Sequence, residues 1–161
     1  MRNRLAFSTV NRHVARAIRE FLLVDGSLLA NDVSELAIAH RFAAFLGVEF
    51  PGRHVDVNYN RHGRHIKRLR LPPPCRNWIT PQRRVLPDVV VHFRHRDNAN
   101  VLVVEIKKST NTESRDCDIA KLRAFRRQLH YQHGLFLEFQ AGPLRPRVLR
   151  KEWSGAHAAR H

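Results

Sequence analysis

The sequence predicts a single α/β domain, and three observations predict it. Val10, Val14, Ala17, Ile18, Phe21 and Leu22 recur at helical spacing. Val89 to Val91 with Phe93, and Val101 to Ile106, form strand-like runs on either side of a turn rich in Asp and Asn. A basic amphipathic segment from Asp116 to Leu129 then precedes a last apolar run, Gly134 to Phe139. At 161 residues with 43% hydrophobic side chains, the chain has the size of one domain and enough apolar mass for a core.

The first helix covers about residues 10–24, and Asp25-Gly26 would end it. A second runs from about Val33 to Leu46 on Leu36, Ala37, Ala43, Ala44 and Leu46, with Asp32 as N-cap and Gly47 as stop. Glu35, in its first turn, has two readings. It completes a capping box with Asp32, or it is a carboxylate offered to a site; the residues alone leave both open. His54 to Asn60 alternates as a half-buried strand does. Arg64 to Arg70 is strongly cationic, and Leu71 to Arg84 is a proline-stiffened connection without evident secondary structure. Long connections of this kind are often functional. Trp78 there either stacks on a base or pins the loop to the core, while Arg83 and Arg84 suit phosphates. The strand pair follows, then a polar segment from Ser109 to Ser114. The helix from about Asp116 to Leu129 buries Ile119, Leu122, Phe125 and Leu129 and is otherwise basic. In the last strand Leu135, Leu137 and Phe139 share a side, and Phe136 breaks the alternation, which implies burial on both faces. The tail, about 142–161, reads as basic and peripheral.

Composition narrows the function. With 29 Lys and Arg against 14 Asp and Glu, the net charge of +15 points to a polyanionic partner, most simply nucleic acid; a merely basic surface is the bland alternative. Cys75 and Cys117 lie in unrelated contexts and suggest neither a disulfide framework nor a zinc site. The 11 histidines, despite i, i+3 pairs such as His62/His65, read as surface groups. No apolar run approaches a membrane span. The arginine-rich first 24 residues lack a secretory pattern and read as an ordinary helix rather than a transit peptide, so a cytoplasmic location is expected.

The chemistry concentrates in Pro87-Asp88 and Glu105-Ile106-Lys107. A charge within a buried strand costs free energy unless it is paired or holds a metal. Antiparallel pairing about Asp97 and Asn98 sets Asp88 opposite Lys107 and Val90 opposite Glu105. Opposite residues, and residues two apart, share a face. Asp88, Glu105 and Lys107 then cluster on one face, with Val89, Val91, Leu102, Val104 and Ile106 on the other. Two carboxylates and a lysine suit a divalent-metal hydrolase: Mg²⁺ takes one or two protein carboxylates and leaves the rest of its shell to water and phosphate. The bland reading is a cross-strand ion pair between Asp88 and Lys107.

The order helix, strand, strand, strand, helix, strand, with Pro-Asp on one central strand and Glu-x-Lys on the next, resembles the PD-(D/E)XK or restriction-endonuclease-like nuclease superfamily over about residues 34–139. The stretches around Tyr59-Asn60-Arg61 and Gly134-Leu135-Phe136 look like small bacterial and phage proteins with this core. The later helix has no Gln-x-x-x-Tyr pattern, so subfamilies that carry it match less well. The resemblance implies a three-layer α/β/α sandwich on a central mixed four-stranded sheet (an αβββαβ core), here with an extra N-terminal helix. It implies catalytic residues Glu35, Asp88, Glu105 and Lys107. Asp88 and Glu105 would hold Mg²⁺, with Mn²⁺ as substitute, and Glu35 would join directly or through water. This favours the functional reading of Glu35. The expected activity is hydrolysis of nucleic-acid phosphodiesters, DNA first, leaving a 5′-phosphate. Arg61, Lys67, Arg68, Arg83, Arg84, Lys108 and Lys121 are expected to meet the nucleic acid, and a homodimer would suit cutting both strands of a duplex. A non-catalytic nucleic-acid-binding module on the same fold is the alternative. No membrane partner is expected.

Overall fold

The computed structural model describes residues 4–75 and 82–155, the side chains of 82–84 excepted. The chain opens with a helical hairpin. Helix α1 (Phe7–Ala30) buries Val10, Val14, Ala17, Ile18, Phe21 and Leu29. It runs past the expected stop at Asp25-Gly26 because Gly26 is buried at a close approach: a Cβ there would lie 3.8 Å from the Pro146 Cβ. Helix α2 (Glu35–Glu49) is capped by Ser34, not Asp32; the Ser34 hydroxyl accepts from the Ala37 N–H at 3.2 Å. Asp32 pairs with Lys108 instead, so no capping box forms. Phe21, Phe42 and Phe139 meet edge to face, centroids 5.4 to 6.4 Å apart, and fasten the helical hairpin to the sheet.

The strands follow as β1 (His54–Val57), the small hairpins β2–β3 (Arg61–His62, His65–Ile66) and β4–β5 (Arg68–Arg70, Gln82–Arg84), then β6 (Val89–His92) and β7 (Leu102–Lys108). Helix α3 (Asp116–Gln128), β8 (His133–Phe139) and β9 (Val148–Ser154) complete the chain. The main sheet is five-stranded, in the order β1-β6-β7-β8-β9, with one parallel pair, β7 and β8, joined through α3.

Two expectations need correction here. The connection before Asp88 contains two short hairpins, and the expected peripheral tail supplies β9, an edge strand that makes the sheet five-stranded rather than four-stranded. Val148 to Ser154 is charged and half-exposed, as edge strands often are, and Trp153 anchors it edge-on to Phe7, centroids 5.1 Å apart. Trp78 lies outside the described residues, as do the side chains of Arg83 and Arg84.

Helices cover both faces. Val89, Val91, Leu102, Val104, Ile106, Leu135, Leu137 and Phe139 pack under α1 and α2. Val90, Val103 and Phe136 pack on the other face with Leu69, Leu122, Phe125 and Leu129. Phe136 therefore breaks the alternation for the expected reason: both faces are buried.

Cys75 and Cys117 form a disulfide across 42 residues, linking the segment after β4 to the first turn of α3. The expectation that they stand apart is corrected, since the β4–β5 hairpin packs on α3 and brings them together. Among the described residues no helix is long and apolar enough to cross a membrane.

Candidate active site

Val89 pairs with Val104 and Val91 with Leu102, a register two residues away from the expected one. The connection is longer than expected, residues 93–101, and folds on itself, with Phe93 bridging Arg96 before a 3₁₀ turn at Asp97–Ala99. A slip of two preserves the faces. Asp88, just before β6, therefore lies nearest Glu105 rather than Lys107, and Glu105 and Lys107 remain on the α3 side. The Ile106 N–H donates to Asp88 Oδ2 at 2.7 Å, which fixes one carboxylate oxygen and turns the group toward Glu105 and α3.

Glu105 is 2% exposed and Lys107 6%, at the centre of the sheet under α3. From α3 come two residues that the sequence analysis did not place in the site. Lys121 Nζ lies 2.8 Å from Glu105 Oε2 and 2.9 Å from Asp118 Oδ1. Asp118, itself 7% exposed, presents its other oxygen 3.0 Å from Lys107 Nζ. Glu113 stands 3.5 Å from the same ammonium. The sequence did carry a signal. Asp118 and Lys121 lie one turn before Leu122 and Phe125, so the buried stripe of α3 extends into them.

Glu35 reaches the end of β7 from α2. Its Oε1 accepts from the Lys108 N–H at 3.0 Å and from Asn111 Nδ2 at 2.9 Å, so it ties the strand end to the following turn. Its charge bears on Asp88 and Lys107.

The electrostatics follow from crowding acids in a dry place. Burial, then the charges of Glu35 and Asp118, raise Asp88 to about 6 against the pull of the Ile106 N–H and Lys121. Burial, then Asp88, push Glu105 up to about 8, with Lys121 opposing. Lys121 favours a Glu105 carboxylate while burial and Asp88 favour the neutral acid, and burial is the larger effect. Both lysines stay protonated: burial opposes this, but Asp118 raises Lys107, and Glu105 and Asp118 together raise Lys121.

Two hard carboxylates with a spare buried oxygen fit a divalent cation of the Mg²⁺ type. Glu105 Oε1 is buried without a hydrogen-bond partner, and an unsatisfied buried acceptor is costly unless something meets it. Among the described residues no three His, Cys, Asp or Glu side chains converge as a ready ligand set. A Mg²⁺ shell built on two carboxylates needs none.

Three residues expected to meet nucleic acid are engaged within the protein. Lys67 is 1% exposed; its Nζ donates to the Tyr59 carbonyl at 2.9 Å and to the Tyr131 hydroxyl at 2.8 Å, and sits over both rings. Lys108 pairs with Asp32 at 2.8 Å. Lys121 is enclosed by Glu105 and Asp118. Arg61 and Arg68 are exposed.

No family model, curated protein or solved structure matches the chain.

Proposed function

We propose that the protein is a metal-dependent nuclease that hydrolyses nucleic-acid phosphodiester bonds, DNA first, on a restriction-endonuclease-like core. The observation that carries this reading is Glu105, an acid buried in a central strand beside Asp88 with one oxygen left without a partner. A fold gains nothing in stability from such a group, whereas phosphoryl chemistry needs it. The net charge of +15 supports a polyanionic substrate.

Asp88 and Glu105 would hold Mg²⁺ or Mn²⁺, and Glu35, already tethered at the end of β7, would add charge and reach the shell through water. The cation, when bound, supplies a lowered pKa for its water and offsets charge on the phosphate. Lys107 is kept protonated by Asp118, which suits it to donate to a phosphate oxygen or to orient the attacking water. Attack in line on phosphorus breaks the bond to the 3′ oxygen and leaves a 5′-phosphate. Asp118 aims Lys107, and Lys121 holds Glu105 Oε2 while no cation is there.

Lys121 also favours a second reading, a non-catalytic nucleic-acid-binding module, because it already gives Glu105 a positive partner. Cleavage assays on plasmid, linear and branched DNA and on RNA, with Mg²⁺ or Mn²⁺, separate the two. The nuclease reading expects cleavage that Asp88→Ala and Lys107→Ala abolish. No cleavage of any substrate, or equal cleavage by the variants, overturns it.

A further inference from the structure

Away from the acids, α3 and the β4–β5 hairpin build a second charged feature. Arg68 and Arg70 stand exposed on one side of β4, with Leu69 buried between them. Gln128, the last residue of α3, clamps this strand: its Oε1 accepts from the Arg70 N–H at 2.9 Å, and its Nε2 donates to the Arg70 carbonyl at 2.8 Å. The clamp satisfies both backbone groups of Arg70 and brings β4 beside the exposed Arg127. Arg68, Arg70, Arg127 and Gln128 line an open hollow of about 630 Å³.

The guanidinium groups in this hollow have no acidic partner among the described residues. Several arginines elsewhere do have one: Arg16 pairs with Glu49, Arg41 with Asp25, Arg94 with Asp56 and Arg115 with Glu138. Like charges held together cost free energy in the free protein, and the C-terminal end of a helix offsets only part of it. The planar guanidinium fork matches phosphate oxygens, two bonds at a time.

The hollow lies on the α3 side of the sheet, as the acids do. Arg127 is six residues beyond Lys121 on α3, about 9 Å of helical rise. Arg84, which pairs with Arg68 in the register, precedes Asp88 by four residues, a reach of at most about 14 Å. Those spans amount to about three or four steps of a duplex strand.

We propose that Arg68, Arg70 and Arg127, held in place by Gln128, form a phosphate-binding cleft that grips the nucleic-acid backbone a few nucleotides from the bond to be cut. The position relative to cleavage rests on the nuclease reading; the cleft itself does not. Such contacts set register and affinity and carry no sequence preference.

The test is fluorescence anisotropy of labelled duplex and single-stranded DNA across a NaCl series, in EDTA so that no cleavage occurs. Each phosphate neutralised contributes about 0.9 to the slope of log K against log salt for duplex, and about 0.7 for a single strand. The triple variant Arg68→Ala/Arg70→Ala/Arg127→Ala is expected to lose a slope of about 2 to 3 on this basis. Lysine at the same three positions should restore most of it. A control that removes the exposed Arg12, Arg145 and Arg147 takes away the same charge and should cost little slope. Gln128→Ala, with all charges intact, should weaken binding by loosening the hairpin. Circular dichroism melts establish that each variant is folded. If wild-type protein binds no nucleic acid, or if the cleft variant and the control lose equal slope, the cleft is overturned. If the cleft variant alone loses slope and wild-type protein never cleaves with any metal, the nuclease reading falls and the cleft stands.

Discussion

Replacing Glu105 with glutamine should stabilise the metal-free protein at alkaline pH, although Glu105 lies at the centre of the proposed active site. Burial raises its carboxyl from an ordinary 4.5 to about 8. The folded value lies above the unfolded one, so its contribution to stability is complete below pH 4.5 and is lost as pH rises through about 8. Each pH unit in that window costs ~1.4 kcal/mol, so the whole is worth at most ~5 kcal/mol, with the opposing pull of Lys121 already included. Asp88, raised from 3.8 to about 6, adds a loss of the same sign over a lower window. Glutamine keeps an oxygen for Lys121 and cannot ionise. Urea denaturation in EDTA at mildly acidic and at alkaline pH measures the difference. Lys67 and Asp88 titrate alike in both proteins, so the difference between them isolates Glu105: Glu105→Gln should gain on wild type from the first condition to the second and be the more stable at the alkaline end by a few kcal/mol. Added Mn²⁺ should raise the stability of wild type and not of the variant. A variant with the wild-type pH slope, or one less stable than wild type at alkaline pH, refutes the claim that burial of Glu105 outweighs its pairing with Lys121.

The remaining predictions concern parts of the fold around the site. Burial, opposed by Asp56 and Asp97, pulls Lys67 from 10.5 down to about 7; the unfolded chain then holds the extra proton, so stability rises from pH 7 toward 10.5, and Lys67→Met should flatten that rise in a series of thermal melts. Reduction of Cys75–Cys117 frees a loop of 42 residues in sequence separation and should lower stability by about 4 kcal/mol on the chain-entropy account, read by urea titration with and without reductant. Gly134 packs where α3 crosses β8, and a Cβ there would stand 3.2 Å from the Ser154 Cβ and 3.3 Å from the Arg126 Cδ. Gly134→Ala should therefore destabilise by about 1 to 3 kcal/mol in the same titration.

The sequence made legible what depends on short-range periodicity. Asp88, Glu105 and Lys107 could be assigned to one face because residue parity alone decides the face, and an error of two in the register left parity intact. Phe136 announced the covered second face by interrupting an alternation. The parts that could not be read depend on contacts between distant elements. Lys67 looks like one more cation in a basic stretch, and only Tyr131, 64 residues away, makes it a buried one. Lys121 looks like a solvated helix residue until β7 brings Glu105 beside it. Val148 to Ser154 is too charged to read as a strand by composition, and it becomes one because β8 offers it an open edge. The disulfide bears on location too: structural disulfides are rare in a reducing cytosol, which weighs against the expected cytoplasmic setting.

If Asp88 and Glu105 hold a divalent cation, as proposed, the ion should be visible between them. Anomalous diffraction from crystals soaked in Mn²⁺ tests it most directly. The account predicts a peak within coordination distance of both Asp88 and Glu105, with Lys121 Nζ moved away from Glu105 Oε2. A site with no peak and the Lys121–Glu105 bond intact would contradict it.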